Sequence, residues 1–329
     1  MTRRVDSLSG RRAREETRTE GGHARRSLFR GLGVGIDDFC CRAHVSLEGE
    51  DEPNPTHSIV FVRRGVFVRH DRDESLVADA SQILFFNRNQ PYRYAHPVAG
   101  GDDCTILMLE DDCVRAALAR FAPRHADHPT KPFPSGHAQV TSRSARLHLE
   151  LLATSRGRGS VPSIVHEDLV AELIDASLTA LIRTEARRTR SRCSGSCARR
   201  RREAVEAAKL ILNARVDSPP SLEGLAASVD LSPFHFSRVF RELTGLTLRR
   251  YLRRLRAALA SDQLTRGARD LSRLASELGF CDHSHFTNSF RAEFGIPPSR
   301  LRRAFTSRRA RSTEADRSDG YHLGPETRE

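Results

Sequence analysis

The feature that most constrains this chain is an internal repeat between Leu222 and Phe305, in which one helix-turn-helix pattern is written twice. In the first copy Ser221 stands as an N-cap, Leu222, Leu225 and Ala226 share a face, and Asp230-Leu231 forms the turn. Ser232 caps the next helix, with Pro233 at its first position, where a missing N–H costs nothing. Phe236, Val239, Phe240 and Leu243 fall at i, i+3, i+4 and i+7 as one buried stripe, and Gly245 stops the helix. Phe234, Ser237, Arg238 and Arg241 occupy the opposite face.

The second copy follows the same plan. Asp270 caps a helix with Leu271, Leu274, Ala275 and Leu278 inward, Gly279-Phe280 makes the turn, and Asp282 caps a helix whose stripe is Phe286, Phe290 and Phe294, ended by Gly295. His283, Ser284, Thr287, Asn288 and Arg291 lie on its free face. Phe240 and Phe290, Arg241 and Arg291, and Gly245 and Gly295 match at a spacing of fifty residues, the mark of a duplicated helix-turn-helix. The helix expected from Leu248 to Leu264 spans about 25 Å at about 1.5 Å per residue. With the widths of the flanking helices, it sets the two units about 34 Å apart, the distance between successive major grooves on one face of DNA. Arg249, Arg250, Arg253, Arg254 and Arg256 on this connection, with Arg241, Arg291 and Arg300, suit phosphate contacts.

A length of 329 residues accommodates two domains, and a net charge of +12 favours a polyanionic partner. Arginine supplies nearly all the cations, Lys131 and Lys209 being the only lysines, so position counts for more than bulk charge. Seven cysteines without regular spacing argue against a secreted disulfide framework and for a reducing cytoplasm. No apolar run approaches the roughly 20 residues of a membrane span.

The expected fold class is α+β. Residues 1–26 read as a disordered basic tail, having too little apolar surface to offset the entropy of ordering. Residues 27–186 read as an antiparallel β-domain with helices at its end. Ile59 to Val62, Val66 to Arg69, Ile83 to Phe86 and Thr105 to Leu109 are its strands, broken at Arg64-Gly65, Asn87-Arg88-Asn89 and Gly100-Gly101. An apolar stripe through Ile164, Leu169, Val170, Leu173, Ile174, Leu178 and Leu181 follows, to pack on the β-domain or on a second subunit. Residues 187–202 read as an Arg-rich extended linker, 203–306 as the helical domain, and 307–329 as a second disordered tail.

Leu231-Ser232-Pro233 through Phe240-Arg241 and Gly245, followed by Tyr251 and Arg256-Ala257, resembles the first unit of the AraC/XylS family of transcription regulators. Leu274-Ala275 through Gly279-Phe280, Phe286, Phe290-Arg291, Phe294-Gly295 and Pro298-Ser299 resembles that family's signature segment. The resemblance implies that Phe234, Ser237 and Arg238 face bases, as do His283, Ser284, His285, Thr287 and Asn288. Asn288 stands where the family commonly has arginine, which points to another base preference, adenine being asparagine's partner. Around Phe85-Phe86-Asn87 and Gln90-Pro91-Tyr92 the β-domain resembles the family's cupin-like sensor, which implies a module for a small-molecule effector or for homodimerisation, and RNA polymerase as a further partner.

Other readings compete. His57, His70 and His96 suggest cupin metal ligands, but the His-x-His pair and spaced glutamate are absent, so neither metal nor cofactor is expected. His283 and His285, two apart, point to different helix faces. Cys40-Cys41 and Cys193 with Cys197 read as reduced thiols ahead of a redox or metal switch. No cysteine has a motif of alkyl-transfer repair, so that rival and a nonspecific nucleoid-coating protein stand behind a non-enzymatic, sequence-specific regulator.

Overall fold

In a computed structural model of the chain, residues 16–19, 23–42, 45, 52–71, 74–128, 130–156, 163–190 and 195–305 are described. Strands β1 (Glu16–Thr19), β2 (His23–Gly31), β3 (Val34–Cys41), β4 (Glu52–Pro53), β5 (His57–Gly65), β6 (Phe67–Asp71), β7 (Glu74–Ala78), β8 (Gln82–Phe86), β9 (Pro91–Ala95), β10 (Asp102–Leu109) and β11 (His137–Gln139) form two antiparallel sheets. One runs β1-β2-β3-β10-β5-β8-β11 and the other β4-β9-β6-β7. Helices α1 (Asp111–Ala119) and α2 (Pro123–Ala126) precede β11, and α3 (Ser142–Arg156) and α4 (Ser163–Arg190) follow it.

Strand β5 explains the layering. Its residues 57–63 are all buried, so it reads as a near-continuous apolar run rather than an alternating one. Ile59 and Phe61 enter the larger core with Ile83, Phe85 and the α4 residues Leu173, Ile174, Leu178 and Leu181. Val60 and Val62 point the other way, into a second cluster with Leu84, Phe86, Phe67 and Cys104. The larger sheet therefore lies between helices and the smaller sheet. The apolar stripe of α4 packs on the β-domain of its own chain, although Ile164 at its start is exposed.

Two expectations need correction. Residues 1–15 of the expected tail lie outside the described residues, but His23–Gly31 is a strand, so ordered chain begins before residue 27. Leu32 and Gly33 both take positive φ, 55° and 69°, as a two-residue hairpin turn requires. That hairpin brings Arg25 and Arg30 to 2.5 and 2.6 Å from Asp37, so arginines that look solvated in sequence have a buried carboxylate partner. The Arg-rich stretch 187–202 is not an extended linker over its described part. Helix α4 runs to Arg190 and α5 (Ser196–Ala214) starts at Ser196; residues 191–194, Cys193 among them, lie outside the described residues. The Arg-rich start of α5 is tolerated because Ala198, Val205, Ala208 and Leu212 bury one face while Arg199, Arg200 and Arg202 point to solvent. The tail from 306 on also lies outside the described residues.

Helix α5 also closes the edge of the smaller sheet. Glu206 accepts from the Val77 N–H at 2.6 Å and Lys209 donates to the Val77 carbonyl at 2.6 Å, while the two side chains pair at 2.9 Å. Both backbone groups of an edge-strand residue are thereby satisfied without another strand. No described helix is long and apolar enough to cross a membrane.

Candidate nucleic-acid interface

Helices α6 (Leu222–Ala227) and α7 (Pro233–Thr244) form the first unit, α8 (Leu248–Thr265) the connection, and α9 (Leu271–Glu277) and α10 (His283–Phe294) the second; a last helical stretch covers 298–305. Each N-cap expected from sequence accepts a backbone hydrogen bond: Ser221 from Gly224, Ser232 from His235, Asp270 from Ser272 and Arg273, and Asp282 from His285. Gly245 and Gly295 end α7 and α10 in the left-handed region, at φ 69° and 73°.

The two turns differ by one residue. Leu231 N–H donates to the Ala226 carbonyl at 3.1 Å and Phe280 N–H to the Ala275 carbonyl at 2.9 Å, so these positions match at a spacing of 49. From the caps Ser232 and Asp282 onward the spacing is 50, because Cys281 is an added residue in the second turn. The left-handed turn position is Asp230 (φ 56°) in one copy and Gly279 (φ 73°) in the other.

Phe236, Val239 and Phe240 pack with Tyr251 and Leu255 in one cluster, and Phe286, Phe290 and Phe294 with Leu274 and Leu301 in another. Each copy has its own core, and α8 contributes to both. On the free faces Phe234 is 82% exposed, Arg238 is exposed and Ser237 half-buried; His283, Ser284 and Asn288 are exposed. Thr287 is half-buried, and its Oγ1 has no hydrogen-bond partner among the described residues. His285 is half-buried, its ring edge-on to Phe280 at 5.4 Å, so it braces the turn as well as bordering the face. Of the expected phosphate contacts, Arg241, Arg249, Arg250, Arg291 and Arg300 are exposed and Arg253 is half-buried.

Arg254 must be removed from that set. It is buried, donates to Glu293 of α10 at 2.9 Å and bonds the Val140 carbonyl of the β-domain. Arg256 is likewise structural: it donates to the carbonyls of Val216, Gly279 and Asp217 and lies over the Phe280 ring at 5.7 Å. Both sit on α8 faces covered by other elements, which the helical period alone does not reveal.

The contacts joining the two domains escape sequence reasoning. Tyr251 of α8 bonds Asp79, which also accepts from Asn213 at 3.1 Å, and Arg266 at the end of α8 pairs with Asp103 at 2.6 Å. The three histidines expected as alternative metal ligands do not meet. His57 accepts from the Arg88 N–H, His70 bonds Ser75, and His96 bonds Asp102 at 2.7 Å. His96 instead lies with Cys41 and Asp102, residues far apart in sequence.

Residues 225–304 match the family model described as a helix-turn-helix domain. The transcriptional activator RhaS of Escherichia fergusonii is 38% identical over 82 residues, 25% of this chain and 30% of that protein. The right origin-binding protein of Escherichia coli is 30% identical over 93 residues, 28% of this chain and 32% of that protein. The chain therefore spans about a third of the length of these two relatives. The regulatory protein SoxS of Salmonella typhimurium is 31% identical over 91 residues, 28% of this chain but 85% of that protein. The structure of ToxT from Vibrio cholerae aligns over 84% of this chain and 99% of its own at 10% identity, with a TM-score of 0.32, too loose a superposition to carry an argument. With the duplicated helix-turn-helix in place and most of SoxS matched, the chain belongs to the AraC/XylS family of regulators.

Proposed function

We infer that this chain is a non-enzymatic, sequence-specific regulator of transcription that reads two adjacent major-groove segments of double-stranded DNA. The observation that carries the reading is the pair of helices α7 and α10, each packed on a core of its own and each with an exposed face, joined by one connecting helix. An 18-residue α8 is about 27 Å long, which with the helix widths fits two successive grooves on one DNA face. Arg238 suits guanine and Asn288 adenine, while Arg241, Arg249, Arg250, Arg291 and Arg300 supply phosphate contacts.

The β-domain serves in this reading as the effector-responsive or dimerising part, with RNA polymerase as a further partner and the cytoplasm as the setting. Support for an effector comes from a cleft of about 190 Å³ between the domains, lined by Arg64, Val66, Val98, Asn213 and Leu255. Alkyl transfer needs a thiolate, and three of the seven thiols are held away from that form. Burial pushes the thiols of Cys40, Cys104 and Cys113 up, Cys40 to about 11.

Selection of random duplexes by the full-length chain under competitor DNA tests the reading. Enrichment of a bipartite motif with its halves one helical turn apart is expected; retention indifferent to sequence would establish a nonspecific coating protein instead.

A further inference from the structure

We propose that Cys41, His96 and Asp102 form a binding site for a borderline-soft divalent cation of the zinc class. One donor atom from each of the first three residues lies within 4.8 Å of the others, and all three residues are buried. Cys104 borders the set: it is 2% exposed, and its Sγ donates to the second Asp102 oxygen at 2.9 Å. Thiolate, imidazole and carboxylate together suit zinc and its neighbours, whereas magnesium and calcium demand oxygens.

Strand pairing builds the cluster. Asp103 pairs with Cys40 and Cys104 with Phe39, which sets Asp102 beside Cys41 at the junction of β3 and β10. Side chains alternate along a strand, so Asp102 and Cys104 share one face. His96 arrives from just beyond β9, a third independent element. Its ring is 2% exposed, and while one nitrogen bonds Asp102 at 2.7 Å, Nδ1 has no hydrogen-bond partner among the described residues.

Charge and geometry are both accommodated. One thiolate and one carboxylate balance the charge of a divalent ion. Arg63, 5% exposed and with Nε and Nη1 unpartnered among the described residues, acts on Cys104 with its positive charge. The edge of a zinc tetrahedron with ligands at 2.0–2.3 Å is about 3.3–3.8 Å, so the 2.7 Å His96–Asp102 contact opens by under about 1 Å on loading. The Cys41 thiol proton and the proton shared by His96 and Asp102 pass to solvent as the ion enters.

The opposite face of β10 carries Asp103, which holds Arg42, Arg64 and Arg266, the last at the end of α8. An ion at Asp102 thus acts on the residue next to the ionic anchor of the helical domain. The site itself stands whether or not the chain binds DNA, since its test reads metal.

The test uses the full-length chain, reduced and stripped with a chelator, in a Cys197→Ser/Cys281→Ser background that removes the two exposed described thiols. One zinc per chain retained through gel filtration is expected, as is a thiolate-to-cobalt charge-transfer band when Co2+ is loaded. The further change Cys41→Ser abolishes that band, and Asp102→Asn, which preserves shape, lowers affinity at least tenfold. Failure of the folded chain to retain zinc overturns the site. So does a cobalt band unchanged by Cys41→Ser or, should that variant not fold, an affinity unchanged by Asp102→Asn.

Discussion

Arg254 of α8 and Glu293 of α10 form a buried ion pair at 2.9 Å, and the same guanidinium reaches across to the Val140 carbonyl of the β-domain. One side chain thereby ties the connecting helix, the second helix-turn-helix unit and the β-domain together. The arrangement of the two recognition helices is set partly from outside the helical domain.

Arg254→Ala should leave Glu293 buried without a counter-charge, a loss of about 3–5 kcal/mol. Urea unfolding of the full chain measures it. The salt slope of DNA binding should match that of the parent protein, since Arg254 does not face solvent. A slope reduced by about one would return the residue to the phosphate-binding set.

Arg238→Ala tests the first recognition face. The residue is exposed on the side opposite Phe236, Val239 and Phe240, so its loss should leave the melting temperature unchanged. Affinity for the selected duplex should fall by about 1–3 kcal/mol and discrimination relax at one base position, as gel-shift titrations against single-base variants would reveal.

Two glycines at helix and turn ends should respond unequally to alanine. A Cβ on Gly279 would lie 2.2 Å from the Asp217 carbonyl oxygen at φ +73°, adding a backbone clash to left-handed strain, about 2–5 kcal/mol in all. On Gly245, at φ +69°, the obstruction is the mobile end of the Gln139 side chain, and about 1–2 kcal/mol is expected. Thermal melts of the two variants decide the ranking, which equal losses would refute.

Hydrogen bonding to Asp102, first of all, raises the His96 imidazole to about 9, against the burial that opposes its charge. A folded pKa above the unfolded value of about 6.5 stabilises fully below that value and is lost as pH rises through about 9. Metal-free protein should therefore lose about 3 kcal/mol of this contribution between pH 6.5 and 9. Melting curves across that range should flatten in Asp102→Asn, and a parallel profile would contradict the assignment.

Much of the helical half is legible in sequence because its determinants are local. Ser221, Ser232, Asp270 and Asp282 act within three residues of themselves, and Gly245 and Gly295 act through their own φ. Phe236, Phe240, Phe286 and Phe290 fill cores built at the helical period. The β2–β3 hairpin is less legible, since its arginines look solvated until Asp37 lies beside them.

Sequence alone thus determined the duplicated helix-turn-helix, its caps and most of its buried stripes, which depend on neighbours a few residues away; Leu243, expected in the first stripe, is instead 42% exposed. Tertiary structure decided which arginines are free. Arg250 and Arg254 lie one turn apart on α8, yet the first is exposed and the second is covered by α10 and the strand ending near Val140. It also decided that Cys41, His96 and Asp102 meet, because strand pairing joins residues by register and not by distance along the chain.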